Sequence, residues 1–113
     1  GLHWSRGKLT RMDRLDALRM LLQQDPKNRL VRYGLAMELA NQGNREGAVE
    51  EFRGLIDADP DYAYAYFHCA QMLEKLDRLD EARETYRQGI DAAGRAGDSH
   101  ALAELQEALD MLG

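Results

Sequence analysis

The chain has 113 residues, of which 44% are hydrophobic and 31% charged, a composition typical of one folded globular domain rather than a disordered chain. Its formal net charge of −5 argues against nucleic-acid binding, which favours a basic surface. No apolar run reaches the roughly 18–20 residues that cross a bilayer, so membrane insertion is not expected.

The first eleven residues differ from the rest of the chain. Residues 1–11 show neither helical nor strand periodicity before Leu9, whereas an amphipathic helical pattern begins at Met12. They also contain no continuous apolar stretch of the secretory kind. We therefore expect residues 1–11 to be an expression-tag remnant or a disordered extension. The alternative is a native segment that docks Trp4 on the surface.

The chain contains an internal repeat with a period of 34 residues. The frame Leu, aliphatic, two variable residues, Asp and Pro occurs at 21–26 and again at 55–60, and Gly94 takes the place of a third proline. The same offset aligns apolar or small residues throughout the unit: Leu18, Phe52 and Tyr86; Leu22, Ile56 and Ile90; Ala48 and Ala82; Leu35 and Cys69; Ala36 and Ala70; Leu39 and Leu73. One offset satisfies all of these pairs, so the units are predicted to share one local structure.

The apolar spacing inside each unit is that of two amphipathic helices. Apolar residues in the first unit recur every three to four residues, with a break between the two helices at residues 41–44. At this break Gly43 predicts a helix C-cap and Asn44 an N-cap. In the second unit Asp77 takes the place of Gly43, and Asp is among the few residues that tolerate left-handed backbone.

The stretch YAYAY at 62–66 alternates tyrosine with alanine, a period of two that is typical of a β-strand. The repeat aligns this stretch with a helix of the first unit, so the alternation is interpreted as accidental. We expect a helix with Asp61 as its N-cap and Tyr66 in the core. On a helix, Tyr64 and Phe67 become near neighbours on another face.

A 34-residue helix–turn–helix unit with small residues at the helix crossing resembles the tetratricopeptide repeat (TPR) family. The resemblance implies an all-α fold, a right-handed superhelical stack of antiparallel helix pairs (a TPR-like α-solenoid). Repeat 1 would cover 29–62 and repeat 2 63–96, with Arg32 and Gly94 departing from the family pattern. About six helices are expected, at 9–24, 29–42, 45–58, 63–76, 79–92 and 98–112.

Each end of the single TPR domain, residues 12–113, is expected to carry an extra helix. Residues 12–26 resemble the second half of a repeat. There Arg14 replaces the alanine found where paired helices approach, since no first helix would press on it. Residues 98–112 carry leucines at helical spacing and predict a capping helix that closes the stack.

In TPR proteins the first helices of successive repeats line a concave groove, so the resemblance implies a peptide-binding site there. The expected groove residues are Leu30, Tyr33, Met37, Asn41, Tyr64, Phe67, His68, Gln71 and Lys75. One TPR class grips a C-terminal carboxylate through a Lys/Asn/Arg clamp. We do not expect it here, because the corresponding positions are aromatic or apolar and no basic cluster is present. The groove is predicted to suit an amphipathic helix or an extended apolar segment.

The resemblance therefore implies a protein-interaction module whose partner is a protein or peptide. Two alternatives stay open. One is a homo-oligomeric scaffold, for example a homodimer, whose groove is filled by another copy or by the chain's own N-terminal segment. The other is a small chaperone for a secreted client, which some small TPR proteins resemble.

No catalytic site, metal site or cofactor is predicted, and the chain is expected not to be an enzyme. His3, His68 and His100 have no ligand-like spacing with one another or with Cys69, and no phosphate loop or hydrolase motif occurs. Cys69 fits a buried structural thiol. Because it is the single cysteine, an internal disulfide is excluded and a reducing, cytoplasmic location is expected.

Overall fold

The computed structural model describes residues 6–113, with side chains from residue 14 onward. Over this range the chain forms six α-helices and no strand: α1 (Arg6–Gln24), α2 (Arg29–Asn41), α3 (Arg45–Ala58), α4 (Ala63–Lys75), α5 (Leu79–Ala96) and α6 (Ser99–Leu112). Each helix packs on its neighbours in the chain, and α4 also contacts α6. Connections of two to four residues make neighbouring helices antiparallel. The all-α stack predicted from the sequence is confirmed.

Helix α1 is longer than the sequence indicated. It begins at Arg6, whereas the pattern predicted a start near residue 9. Residues 6–11 are therefore helical, so the expected disordered extension does not apply to them. Residues 1–5 lie outside the described part of the chain, and the tag origin of residues 1–11 stays a prediction.

The turns inside the two repeats follow the predicted capping pattern. The Asn44 side chain accepts a hydrogen bond from the Gly47 backbone N–H at 2.9 Å. Gly43 has φ +84° and Asp77 has φ +60°, so both residues adopt the left-handed backbone expected of them. The sequence did not single out Asn28, which caps α2 by accepting from the Val31 N–H at 3.1 Å.

The predicted N-cap of α4 is wrong. Tyr62 occupies the N-cap position and makes no side-chain capping bond. Asp61 instead accepts a hydrogen bond from the Arg95 guanidinium, with 2.8 Å between Arg95 Nε and Asp61 Oδ1. The Asp61 carboxylate is thus engaged by a charged donor on α5, one residue before the N-cap position.

Helix α5 extends four residues beyond its predicted end at residue 92 and stops at Ala96. Gly94 stands where the repeat has a closing proline, and glycine keeps the backbone N–H that proline lacks. The helix ends one residue before Gly97, whose φ of +67° forms a left-handed C-cap. Asp98 then caps α6 by accepting from the Ala101 N–H at 3.0 Å.

The core consists of two clusters along the stack. The first, centred on α2, α3 and α4, contains Leu35, Phe52, Leu55 and Leu73, each at most 2% exposed. The second joins α4, α5 and α6 around Tyr86 and Leu105. The small residues predicted at the helix crossings, namely Ala36, Ala48, Ala70 and Ala82, are all 0% exposed. Any larger side chain there would separate the paired helices.

Arg14 tests the idea that α1 is a helix without its repeat partner. It takes the place that Ala48 and Ala82 hold in the complete repeats, yet its side chain is exposed. Its guanidinium reaches the largely buried Glu38 on α2 with an N–O distance of 3.3 Å. The position therefore holds a long charged side chain that stays largely exposed.

Candidate peptide-binding groove

Helices α2, α4 and α6 form one face of the stack, here called the inner face, with two adjoining cavities. The α2–α4 cavity has a volume of about 440 Å³. It is lined by Met37, Ala40, Asn41, Gly43, Arg45, Phe52, His68, Gln71, Met72 and Lys75. The α4–α6 cavity, of about 260 Å³, is lined by Phe67, Gln71, Glu104, Glu107, Ala108 and Met111. Gln71 lines both, so the two cavities adjoin at this side chain, and together they are called the inner groove.

Most of the residues expected in the groove lie on this surface. The α2–α4 cavity brings together Met37, Asn41, His68, Gln71 and Lys75, and the α4–α6 cavity adds Phe67. The other three expected residues line neither cavity: Leu30 is 79% exposed, and Tyr33 and Tyr64 are half-buried against the core clusters.

His68 lies at the centre of an aromatic cluster beneath the groove. Its ring stacks on Phe52 at a centroid distance of 5.7 Å and meets Phe67 edge-on at 5.6 Å. Its Nε2 atom forms a hydrogen bond of 2.8 Å with the Tyr33 hydroxyl. These contacts join α2, α3 and α4 under the cavity, so the groove floor is held before any ligand arrives. The sequence placed Tyr33 and His68 in the groove but gave no sign of this bond.

Tyr64 and Phe67 are neighbours, as helical geometry predicted, with ring centroids 6.5 Å apart. Both rings pack against the second core cluster, and Phe67 also meets Tyr86 at 6.3 Å. Phe67 therefore presents one side to the core and another to the α4–α6 cavity. Tyr64 faces the core cluster without lining a cavity.

The charges of the inner groove are separated along its length. Arg45 and Lys75 line the α2–α4 cavity, whereas Glu104 and Glu107 line the α4–α6 cavity. Lys75 was expected in the groove without a basic cluster around it, and the α2–α4 cavity adds one further cation, Arg45. Arg45 was missed because it is the first residue of α3 and not part of a first helix. Its position two residues after Gly43, in the turn between α2 and α3, is the sequence feature that could have identified Arg45 as a groove residue.

Comparison with known proteins agrees with this architecture. A sequence model described as tetratricopeptide repeat matches residues 33–101, which is more than half of the chain. The chain belongs to the TPR family. A TPR repeat-containing protein of Pseudomonas aeruginosa is 26% identical over 91 residues, covering 80% of this chain and 87% of that protein.

Solved TPR structures superpose on most of the chain. The solution structure of a TPR domain protein from Salinibacter ruber is 40% identical, with a TM-score of 0.74, and the match covers 78% of this chain and 89% of that one. The crystal structure of PcrH in complex with the chaperone binding region of PopD has a TM-score of 0.82 at 17% identity, with coverages of 96% and 82%. At 17% identity, the similarity to PcrH shows a shared fold.

The outer side of this TPR domain holds a separate cavity between α3 and α5. It has a volume of about 380 Å³ and includes Arg53, Glu81 and Gln88 in its lining, with Cys69 at its base. Cys69 is 1% exposed, and burial raises the pKa of its thiol to about 11. A protonated, covered thiol is unreactive, which agrees with the predicted structural role.

Among the side chains of residues 14–113, no group of three His, Cys, Asp or Glu residues is arranged to hold a metal ion. None of the six helices within residues 6–113 has the length and apolarity needed to cross a membrane.

We expect the TPR domain to lose stability as the pH falls below about 6.5 because of His68. Burial among aromatic rings lowers the pKa of His68 from 6.5, against smaller opposing effects of Gln71 and Glu104. Between its folded pKa and 6.5 the unfolded chain binds a proton that the folded chain does not, so lower pH favours unfolding. Urea unfolding from about pH 7.5 to 5 measures this change.

His68→Gln should reduce the pH dependence of the unfolding free energy while keeping a partner for Tyr33. His100→Gln is the matched control, because the His100 side chain is 78% exposed and lies outside the cluster. An unchanged pH dependence in His68→Gln would show that the buried imidazole is not its source.

Proposed function

We propose that this TPR domain binds an apolar or amphipathic peptide segment of another protein in the inner groove. The observation that carries the proposal is the pair of cavities that adjoin at Gln71 on α4, one towards α2 and the other towards α6. Membership of the TPR family supports a protein-interaction module in general. The peptide and its place in the groove are the specific part of the proposal.

The lining of the α2–α4 cavity mixes apolar side chains with five polar or charged ones, which suits an amphipathic segment. Met37, Phe52 and Met72 give the α2–α4 cavity an apolar floor, and Asn41 and Gln71 supply hydrogen-bonding groups at its rim. Methionine side chains adapt to different ligand shapes. The cavity volume of about 440 Å³ falls in the range usual for ligand sites.

The preformed floor reduces the cost of binding. His68 is already fixed by Tyr33 and Phe52, so a ligand would not have to order it. Each well-buried apolar side chain contributes roughly 1.5–3 kcal/mol, whereas association costs an estimated 4–15 kcal/mol. Three or four ligand side chains would therefore give dissociation constants of about micromolar order at the tightest.

PcrH offers an example of this fold in complex with a region of another protein, PopD. Its 17% identity supports a shared fold and no shared ligand. The proposal for this chain rests on its own cavities.

We expect Met37→Ala to weaken peptide binding by about threefold to tenfold, because it removes apolar surface from the groove floor. The probes are peptides of about twelve residues selected from a phage-displayed random library on the immobilised wild-type chain. Affinity is measured by fluorescence anisotropy, and the contact surface by amide chemical-shift changes on titration.

Met20→Ala is the matched control, because Met20 is 59% exposed on α1 and lines neither inner cavity. It should bind the selected peptides as the wild type does. Equal losses in both variants, shifts confined to the α3–α5 cavity, or failure to select any apolar peptide would each contradict the proposal.

The homo-oligomeric alternative makes a different prediction for the free chain. If a second copy filled the groove, light scattering would report a dimer as concentration rises, and selected peptides would dissociate it. A monomer that binds peptide supports the proposal made here.

A further inference from the structure

We infer that the ligand segment has opposite charges at its two ends: an acidic residue beside Arg45 and Lys75, and a basic residue beside Glu104 and Glu107. This inference rests on the proposed function and specifies the chemistry of the partner. It follows from the way the inner groove separates its charges. The α2–α4 cavity has two cationic residues in its lining and no carboxylate among the described side chains, and the α4–α6 cavity has the reverse.

The cations of the α2–α4 cavity are free to meet a ligand. Among the described side chains, neither Arg45 nor Lys75 has a carboxylate within 4.0 Å. The neighbouring Glu46 does not pair with Arg45, since it binds Arg78 instead at 3.1 Å. Both cations are exposed on a protein whose net charge is −5, so they do not merely continue a basic surface.

The position of Arg45 has no explanation in helix stability. Arg45 is the first residue of α3, where the helix dipole disfavours a positive charge. Lys75 lies in the last turn of α4, where a positive charge is favourable. Arg45 is therefore stronger evidence for an acidic ligand group than Lys75. A ligand carboxylate would offset the unfavourable position of the Arg45 charge at the start of α3.

The acidic end of the groove is partly engaged within the protein. Glu104 lies 2.7 Å from the His100 ring on α6. Among the described side chains Glu107 has no cationic partner within 4.0 Å. Phe67, Ala108 and Met111 surround the two carboxylates with apolar surface. A ligand lysine or arginine could lay its aliphatic stem on that surface and bring its charge to Glu107.

The test uses four synthetic peptides that share one apolar centre, taken from the tightest peptide selected above. Their flanks are neutral at both ends, acidic at both, basic at both, or acidic at one end and basic at the other. We expect the mixed peptide to bind about threefold to tenfold more tightly than the neutral one at low salt, with the advantage lost as salt is added. A spin label on its acidic end should broaden amide signals near residues 43–45 and 75.

Charge reversal in the protein provides the second arm. Lys75→Glu should weaken the mixed peptide by about threefold to tenfold more than it changes binding of the neutral peptide. Lys27→Glu is the matched control, because Lys27 is exposed in the α1–α2 turn outside both cavities. Both variants lower the net charge equally, so a long-range effect would weaken the mixed peptide to the same extent in each.

The outcomes separate this inference from the proposed function. If the neutral peptide binds and the charged flanks change nothing, or if both variants behave alike, the charge inference fails and the apolar groove stands. If no peptide of the set binds, the proposed function itself fails.

Discussion

Phe52→Ala is expected to destabilise the domain by about 3–5 kcal/mol, the largest effect of any single substitution considered. Phe52 is 0% exposed in the first core cluster and stacks on His68. Its ring also meets Tyr33 at 6.0 Å, so its removal would leave a void beneath the aromatic cluster. For a domain of this size the loss corresponds to a melting temperature lower by roughly 12–20 °C, measurable by thermal unfolding.

Phe67→Ala is the matched comparison, because the chain contains two phenylalanines. Phe67 keeps one side in the α4–α6 cavity, so its truncation should cost clearly less stability than that of Phe52. It should instead weaken peptide binding. If the two variants lose equal stability and Phe67→Ala binds peptide normally, Phe67 is a core residue and does not belong to the groove.

Gly89→Ala is expected to destabilise the domain by a net amount of about 1–2 kcal/mol, although alanine is the better helix former. Gly89 is buried in α5 where α4 and α6 meet it. An added Cβ would lie 2.7 Å from the Cβ of Tyr66 and 2.9 Å from Leu105 Cδ2. The Tyr66 Cβ is fixed to its backbone, so the helices themselves would have to separate.

Gly94→Ala makes the same chemical change five positions later in α5. Its effect on the free energy of unfolding should have the opposite sign. Gly94 is exposed, and an added Cβ would meet no atom within 4 Å. The substitution should therefore stabilise the helix by about 0.5–1 kcal/mol. Denaturant unfolding of both variants measures the difference, and two changes of the same sign would contradict the packing described for Gly89.

The sequence predicted those features that local geometry or the repeat determines. The repeat paired Ala36 with Ala70, and the resemblance to the TPR family implied that both lie where the helices cross. Gly43 and Asp77 were identified as left-handed because few residue types adopt that backbone. Each of these inferences needs knowledge of one turn or one helix pair, and a sequence contains that information.

Features that depend on the meeting of distant helices were missed. Asp is a residue type that often caps helices, but the Asp61 carboxylate accepts a hydrogen bond from Arg95, 34 residues later in the chain. Arg45 lines the groove because it directly follows the turn that precedes α3. The expected groove residues were taken only from the first helix of each repeat, so Arg45 was not among them. The hydrogen bond of Tyr33 with His68 likewise joins two repeats. These contacts follow from the relative placement of helices, which no local pattern encodes.

The contact pattern of the helices has a consequence for the way the molecule opens. Helix α1 packs mainly on α2, whereas α4 is held by α3, α5 and α6. Loss of α1 breaks one interface, while loss of α4 breaks three, so local unfolding begins at the outer end of the array and rarely reaches its middle. Gln71 belongs to that middle helix, so opening of α1 would leave the junction of the two cavities intact.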